Sequence, residues 1–272
     1  MLWIRVLGEL CADRDGLPLT LPRRRPARAL LGWLAVNPGV HSRSKVAVSM
    51  WPNVLDESAR TSLRTALSAL RGAVGADALV ATRERVGLAS DVQVDLQEFD
   101  RLLESGNEWE ALELAGGELL AGFDEDWVLS ARDVHRERLA EALGRLAEAA
   151  AARGDDGAAV AFARRRVALD PLDEPAHREL MRRLSDAGDR SGALARHGRF
   201  AERLRRELGV APSPSTRALA AELRNGPTAV APPPLPSRIV AGLGGWFARS
   251  IPHWCGACPP PAWVWRNLSA FC

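Results

Sequence analysis

The sequence predicts a mainly α-helical protein with a small β component. Apolar residues with a period of about two occur near residues 1–21 and 79–89, whereas much of the remaining chain carries them at helical spacing. A Gly-Asp pair occurs at residue 154 and again at residue 188, and this distance is the period of a repeated pair of helices. A chain of 272 residues is also long enough for two modest domains.

The first 90 residues carry the signals of strands, three helices and a hairpin. Strands are predicted at Trp3–Leu10 and Leu17–Leu21, on either side of a turn at Asp13–Gly16. The predicted helices run from Pro26 to the Asn37-Pro38-Gly39 turn, from the cap Ser42 to Trp51, and from Glu57 to Val74. The hairpin consists of Leu79–Thr82 and Val86–Ala89 around Arg83-Glu84-Arg85.

This order of elements is typical of a winged helix-turn-helix, in which the third helix enters the major groove of DNA. The outward face of the third helix has three guanidinium groups, three hydroxyl groups and no carboxylate. The predicted base-reading residues are Arg60, Thr61, Arg64, Thr65, Ser68 and Arg71. Phosphate contacts are predicted at the start of the second helix and in the hairpin, from Ser42, Arg43, Lys45, Arg83 and Arg85. A solvated arginine-rich helix face is the alternative interpretation.

Charge is unevenly distributed along the chain. Residues 1–90 contain 13 basic and 7 acidic residues, whereas residues 91–225 contain 20 basic and 27 acidic residues. A net positive charge in the N-terminal part and a net negative charge in the central part favour a module that binds a polyanion, joined to a module that does not.

The middle of the chain predicts paired helices. Gly106-Asn107, Gly154-Asp155 and Gly188-Asp189 each place a glycine at a helix end and an Asn or Asp at the next helix start. The predicted helices are Ala131–Arg153, Gly157–Leu169, Pro175–Ala187 and Ser191–Leu208. Such tetratricopeptide-like pairs stack into a surface that binds peptides or other domains.

Several motifs resemble the Streptomyces antibiotic regulatory protein (SARP) family. Its OmpR-type DNA-binding domain is indicated by Val6-Leu7-Gly8, Arg28-Ala29-Leu30-Leu31, Ser42-Arg43, Trp51, Leu67-Ser68-Ala69-Leu70-Arg71, Gly75 and Val94-Asp95-Leu96-Gln97-Glu98-Phe99. Its bacterial transcriptional activator domain is indicated by Asp126-Trp127 and by Glu207-Leu208-Gly209-Val210-Ala211-Pro212-Ser213-Pro214. The resemblance covers about residues 2–225. It implies a winged-helix domain at residues 1–95 and an activator domain at residues 96–225.

The resemblance also implies a function. Members are transcriptional activators, commonly of antibiotic or other secondary-metabolite gene clusters, which bind direct repeats near promoters and engage RNA polymerase holoenzyme. We therefore expect a dimer on double-stranded DNA and no cofactor. Two features depart from the family pattern: Arg83-Glu84-Arg85-Val86 replaces a Gly-Gly-Tyr-type wing, and no receiver domain is expected before Met1.

Residues 226–272 form a tail of different composition. They hold nine of the 18 prolines, four of the nine tryptophans and three of the four cysteines, and we expect them to be disordered. His253, Cys255, Cys258 and Cys272 are a candidate zinc set, but a second close pair of ligands is missing.

Two other functional classes compete with the activator hypothesis. An enzyme finds little support, because Lys45 is the only lysine for a phosphate-binding loop and His41, His135, His177 and His197 occur singly. A helical-repeat scaffold with a vestigial DNA-binding domain is the second alternative. No run of 18 apolar residues and no signal-peptide pattern is present, so we expect a cytoplasmic protein without a membrane partner.

Overall fold

The structure is a computed structural model that describes residues 1–226 of the chain. The strands are β1 (Leu2–Arg5), β2 (Cys11–Arg14), β3 (Leu17–Pro18), β4 (Val40–Ser42), β5 (Leu79–Ala81), β6 (Arg85–Leu88) and β7 (Gln93–Val94). The helices are α1 (Arg25–Val36), α2 (Arg43–Met50), α3 (Asp56–Val74), α4 (Asp95–Glu104), α5 (Glu108–Leu114), α6 (Asp126–Ala152), α7 (Asp156–Leu169), α8 (Glu174–Asp186), α9 (Arg190–Leu208) and α10 (Pro214–Asn225). Residues 227–272 of the predicted tail, with the candidate zinc set, lie outside the described residues.

The first sheet has the strand order β3-β2-β1-β7, with β1 antiparallel to β2 and parallel to β7. The predicted strand Trp3–Leu10 is wrong at its end, because β1 stops at Arg5. The amides of Val6 and Leu7 donate instead to the carboxylate of Asp95, and Gly8 has a φ of 138°. The predicted turn is also too long: Asp13 and Arg14 belong to β2, and Asp15 and Gly16 alone form the turn to β3, both with positive φ.

The three predicted helices of the front module are confirmed to within a residue or two. Pro26 lies in the first turn of α1, where its missing amide hydrogen costs nothing. Ser42 caps α2 by accepting a hydrogen bond from the amide of Lys45. The apolar stripes of α1 and α3 meet in the core with Ile4, so that Leu30, Leu34, Leu63 and Leu70 are fully buried.

A second sheet of order β4-β6-β5 forms the wing. The predicted hairpin is confirmed as β5 and β6, and β4, which the sequence did not indicate, adds a third strand against β6. Gly87 allows the close approach of β4, because a Cβ atom there would lie 2.4 Å from the carbonyl oxygen of Gly39.

The core of the winged helix continues into the helical region. Leu119, Leu120, Phe123 and Val128 belong to the same buried cluster as the side chains of β1 and α1. Gly32 in α1 provides room for this contact, since a Cβ atom there would lie 3.0 Å from Leu120. The start of α6 is therefore held against α1.

Helices α6 to α9 form two consecutive antiparallel pairs, as predicted. Asp155 and Asp189 cap α7 and α9, after Gly154 and Gly188 with positive φ. Asn107 does not act in the same way: it precedes α5, but its side chain donates to Ser105 and makes no capping hydrogen bond. These helices confirm the predicted fold class, a winged helix-turn-helix followed by tetratricopeptide-like repeats.

The helical region differs from the prediction at one helix boundary and by one additional helix. Helix α6 begins at Asp126 rather than Ala131, because Trp127 and Val128 pack against the front core. Helix α10 was not predicted; Ser213 caps it, and Leu219 and Ala220 complete a second core with α7, α8 and α9. None of the helices within residues 1–226 combines the length and the apolar character that a membrane crossing requires.

Candidate nucleic-acid interface

The outer face of α3 carries all six predicted base-reading side chains in exposed positions. They are Arg60, Thr61, Arg64, Thr65, Ser68 and Arg71. The opposite stripe packs into the core and consists of Ala59, Leu63, Ala66, Leu67, Leu70 and Val74. Helical spacing therefore separates a buried apolar face from an accessible face of cations and hydroxyl groups about three turns long.

The guanidinium groups on this face differ in whether they have hydrogen-bond partners within the protein. Within residues 1–226, Arg60 and Arg64 have no hydrogen-bond or ion-pair partner. Arg71 donates one hydrogen bond, from Nη2 to the carbonyl oxygen of Ala81 at 3.2 Å, which connects α3 to the wing. The Thr65 hydroxyl donates to the carbonyl oxygen of Thr61 at 3.1 Å. Arg60 and Arg64 thus keep all their donors for a ligand.

The absence of carboxylates holds only from Arg60 to Arg71. Helix α3 begins one residue earlier than predicted, and Asp56 and Glu57 in its first turn are both exposed. These two residues suit the positive end of the helix dipole. The cationic surface therefore begins one turn into the helix.

Arg43 joins the start of α2 to this surface. Its backbone amide donates to the carbonyl oxygen of Glu84 at 2.8 Å, so the start of α2 lies against the wing turn. Its Nε atom is buried without a protein partner among the described residues. Burial, and then the positive charges of Arg71 and Arg64, lower the pKa of Arg43. Three arginines thus lie close together, and none of them forms an ion pair with a carboxylate within residues 1–226, which favours an anion.

The wing places its two predicted cations differently. Arg85 donates from Nη2 to the carbonyl oxygen of Val40 at 2.9 Å and so holds β4 to β6. Arg83 is exposed and has no side-chain partner in the described part of the chain. At the start of the turn, the Thr82 hydroxyl accepts from the amides of Glu84 and Arg85 and tightens it. Arg83 is accordingly the freer of the two.

Ser42 and Lys45 stand at the start of α2, both exposed. The Ser42 hydroxyl is occupied as the cap of α2, and the Lys45 ammonium group has no ion pair within residues 1–226. Lys45 lies on the side of α2 that lines a cavity between α1, α2, α4 and α6. The structure therefore brings Arg43 together with Arg64 and Arg71, whereas Lys45 also borders a separate cavity.

Sequence reasoning missed two further candidate surfaces. The first is the wall of that cavity, where Trp127 and His135 lie on one side of α6. The second is an arginine ridge on α9, consisting of Arg196, Arg199 and Arg203, within a region whose net charge is negative. The available signal was spacing along a helix. Trp127 and His135 are eight residues apart, and the arginines of the ridge are three and four residues apart. No three His, Cys, Asp or Glu side chains within residues 1–226 come together as a metal site.

Residues 105–224 match a family model described as the bacterial transcriptional activator domain. This part of the chain is a bacterial transcriptional activator domain. The activator domain starts at the end of α4 and ends in α10. Its match, with the shared fold described next, confirms the resemblance that the sequence motifs indicate.

The fold is similar to that of a solved protein, Mycobacterium tuberculosis EmbR in complex with a low affinity phosphopeptide. The TM-score is 0.64 at 23% identity, over 90% of this chain and 69% of that chain. The likeness extends beyond the activator domain into the winged helix. No curated protein sequence matches this chain.

Proposed function

We propose that the protein is a transcriptional activator that binds double-stranded DNA in a sequence-specific manner through α3. The observation that carries the proposal is the exposed α3 face with the unpartnered guanidinium groups of Arg60 and Arg64, beside the partly buried Arg43. An arginine fork pairs with the O6 and N7 atoms of guanine, and hydroxyl groups reach base edges or phosphates. Arg60, Thr61, Arg64, Thr65, Ser68 and Arg71 are assigned to base contacts.

Phosphate contacts are assigned to Ser42, Arg43, Lys45, Arg83 and Arg85. The amides at the start of α2 add a positive dipole end to these side chains. Arg43 and Arg83 are the strongest of the set, because Arg85 and Ser42 already have protein partners. These contacts fix the register of α3 on the duplex and do not read its sequence.

The activator domain supplies the contact to RNA polymerase in this proposal. The α9 arginine ridge offers a surface for an acidic segment of the polymerase. Arg199 is exposed and has no partner in the described residues, and Arg203 pairs with Glu207 at 3.5 Å. Burial, and then the charges of Arg199 and Arg203, lower the pKa of Arg196. A cation cluster of this kind favours an anionic partner.

Two protomers on direct repeats one helical turn apart, about 10 to 11 base pairs, place both α3 helices on the same face of the duplex. The sequence resemblance assigns the controlled genes to a secondary-metabolite cluster. A non-enzymatic, cytoplasmic role follows from the same proposal.

The salt dependence of DNA binding tests the proposal against the scaffold alternative. Sites selected from a random duplex pool by the full chain are titrated between about 50 and 200 mM salt. The activator proposal expects tight binding to the selected site and a linear loss of log affinity with log salt. A scaffold with a vestigial DNA-binding domain selects no sequence, and its affinity for selected and random duplexes is the same.

A further inference from the structure

A cavity of about 560 Å³ lies where the winged helix meets the activator region. Helices α1 and α2 form one wall, and α4 and α6 form the other. Trp33, Val36, Leu96 and Trp127 give it a largely apolar lining. Its volume is within the range of small-molecule sites in proteins.

The wall contributed by α6 holds buried polar atoms without protein partners. His135 is only 7% exposed, and neither Nδ1 nor Nε2 has a hydrogen-bond partner among the described residues. The ring packs edge-on against Phe99, at 4.7 Å between ring centroids. The indole Nε1 of Trp127 is likewise buried and unpartnered. His135 also borders a second cavity, beside Leu119 and Arg132, whereas Trp127 lines the cavity described here. Buried polar groups are nearly always paired, so these atoms point to a ligand, and the Trp127 indole places it in this cavity.

The charges around the cavity specify the chemistry of that ligand. Arg138 pairs with Asp100, so its charge is already compensated. Lys45, at the edge formed by α2, has no ion pair within residues 1–226. Burial is the main cause that lowers the pKa of His135, which keeps the imidazole neutral with one donor nitrogen. The donors that the cavity offers to a ligand are therefore the Trp127 indole, one imidazole nitrogen of His135 and the Lys45 ammonium group.

We propose that this cavity binds a small planar aromatic molecule with a carboxylate and a phenol or carbonyl oxygen. The ring contacts Trp33 and Trp127, the oxygen accepts from the Trp127 indole and the His135 imidazole, and the carboxylate pairs with Lys45. Aromatic rings pack favourably against indoles, and an ammonium group at the edge selects an acid over its ester.

The proposed site also couples to the winged helix. Lys45 is one of the phosphate contacts assigned above, so a carboxylate bound to it competes with a DNA phosphate. This consequence rests on the proposed function, whereas binding of the aromatic acid does not. A bound acid lowers DNA affinity for all sequences alike and reduces the salt slope by about one.

Binding of 1-hydroxy-2-naphthoic acid to the full chain tests the site, with its methyl ester as the control for charge. The acid is followed by its fluorescence anisotropy and by isothermal titration calorimetry. We expect one molecule per chain with a Kd below about 1 mM, in line with small ligands of this size. The ester binds several-fold more weakly, and Lys45→Met abolishes the difference.

Matched variants locate the bound molecule. Trp127→Phe and His135→Phe each weaken binding of the acid about fivefold to tenfold through the loss of one buried hydrogen bond. Trp109→Phe is the control, because Trp109 is 56% exposed on α5 and does not line the cavity. Should either core variant melt early, Val134→Trp narrows the cavity from its half-exposed rim, with Leu129→Trp on the same helix as its control.

Either of two results overturns the cavity site. The first is that the acid shows no saturable binding below about 1 mM. The second is that the Trp127, His135 and Val134 variants bind the acid with an unchanged Kd. Binding of the acid by a chain that selects no DNA sequence contradicts the proposed function and leaves the cavity site supported. DNA selection without binding of the acid overturns the cavity site and leaves the proposed function supported.

Discussion

The carboxylate of Asp95 accepts a hydrogen bond from the backbone amide of Val6 at 2.9 Å, although 89 residues separate them in the chain. It also accepts from the amides of Leu7 and Leu96. Asp95 is the first residue of α4, and Val6 directly follows β1. One buried side chain thus joins the first strand of the winged helix to the helix that follows the wing.

Asp95→Ala is expected to destabilise the protein by about 3 kcal/mol, because three backbone amides lose their acceptor in a buried position. Chemical denaturation followed by circular dichroism measures the change. The control is Asp91→Ala, an exposed carboxylate without a hydrogen bond in the described residues, for which we expect less than about 0.5 kcal/mol. Equal effects of the two substitutions would contradict the assigned role of Asp95.

Lys45→Ala is expected to weaken binding to selected and random duplexes by the same factor and to reduce the salt slope by about one. The reason is that a lone ammonium group at the start of α2 contacts phosphate and no base. Electrophoretic mobility shifts at several salt concentrations provide the measurement. A loss confined to the selected duplex would instead assign Lys45 to base recognition.

Arg199→Glu is expected to reduce activated transcription while DNA affinity stays unchanged, because the substitution reverses a charge in the middle of the α9 arginine ridge. Transcription is measured with purified RNA polymerase holoenzyme on a template with the selected repeats. Arg153→Glu, at the exposed end of α6, is the matched control. If both variants activate like the parent chain, the ridge is not the polymerase contact.

His177 makes stability depend on pH. Burial is the main cause that lowers its pKa to about 4 from an ordinary 6.5; the charges of Arg196 and Arg203 lower it further, while Asp173 and a hydrogen bond to the Pro171 carbonyl raise it. The unfolded chain takes up a proton as the pH falls through 6.5, but the folded chain stays neutral until about pH 4. The stability contributed by His177 is therefore complete above pH 6.5 and is lost towards pH 4, by about 3 kcal/mol in total.

The variant His177→Gln isolates this contribution, since an amide does not titrate in this range and its nitrogen still donates to Pro171. Denaturation curves at about pH 7 and about pH 4.5, on either side of the ordinary histidine pKa, measure the difference between the two chains. We expect the parent chain to lose more stability than the variant on acidification. Parallel losses would show that His177 is not the titrating group.

Local signals in the sequence were sufficient for most of the fold. Ser42, Asp155 and Asp189 were predicted as helix caps, and each accepts the expected amide hydrogen bond, because a cap depends on residues three positions apart. The early end of β1 was not predictable, since it depends on Asp95, far along the chain. Strand β4 was missed for the same reason: its partner β6 lies more than 40 residues away.

Some features of the candidate site were likewise predictable from local sequence patterns, and others were not. Helical spacing alone predicts which side chains of α3 are exposed, because the apolar stripe identifies the buried face. The proximity of Arg43 to Arg64 and Arg71 depends on the packing of α2 against α3 and the wing, which no local pattern encodes. The position of His135 was not predictable either, because a single histidine on a helix does not indicate that the residue lines a cavity.

Whether α3 reads DNA sequence is tested by the affinity of Arg64→Ala for the selected duplex and for a random duplex of equal length. If α3 reads the bases, the substitution costs about 1 to 3 kcal/mol on the selected duplex and much less on the random duplex, and the preference at one base position relaxes. Equal losses on the two duplexes would show that Arg64 contacts only phosphate and that α3 does not read the sequence through it.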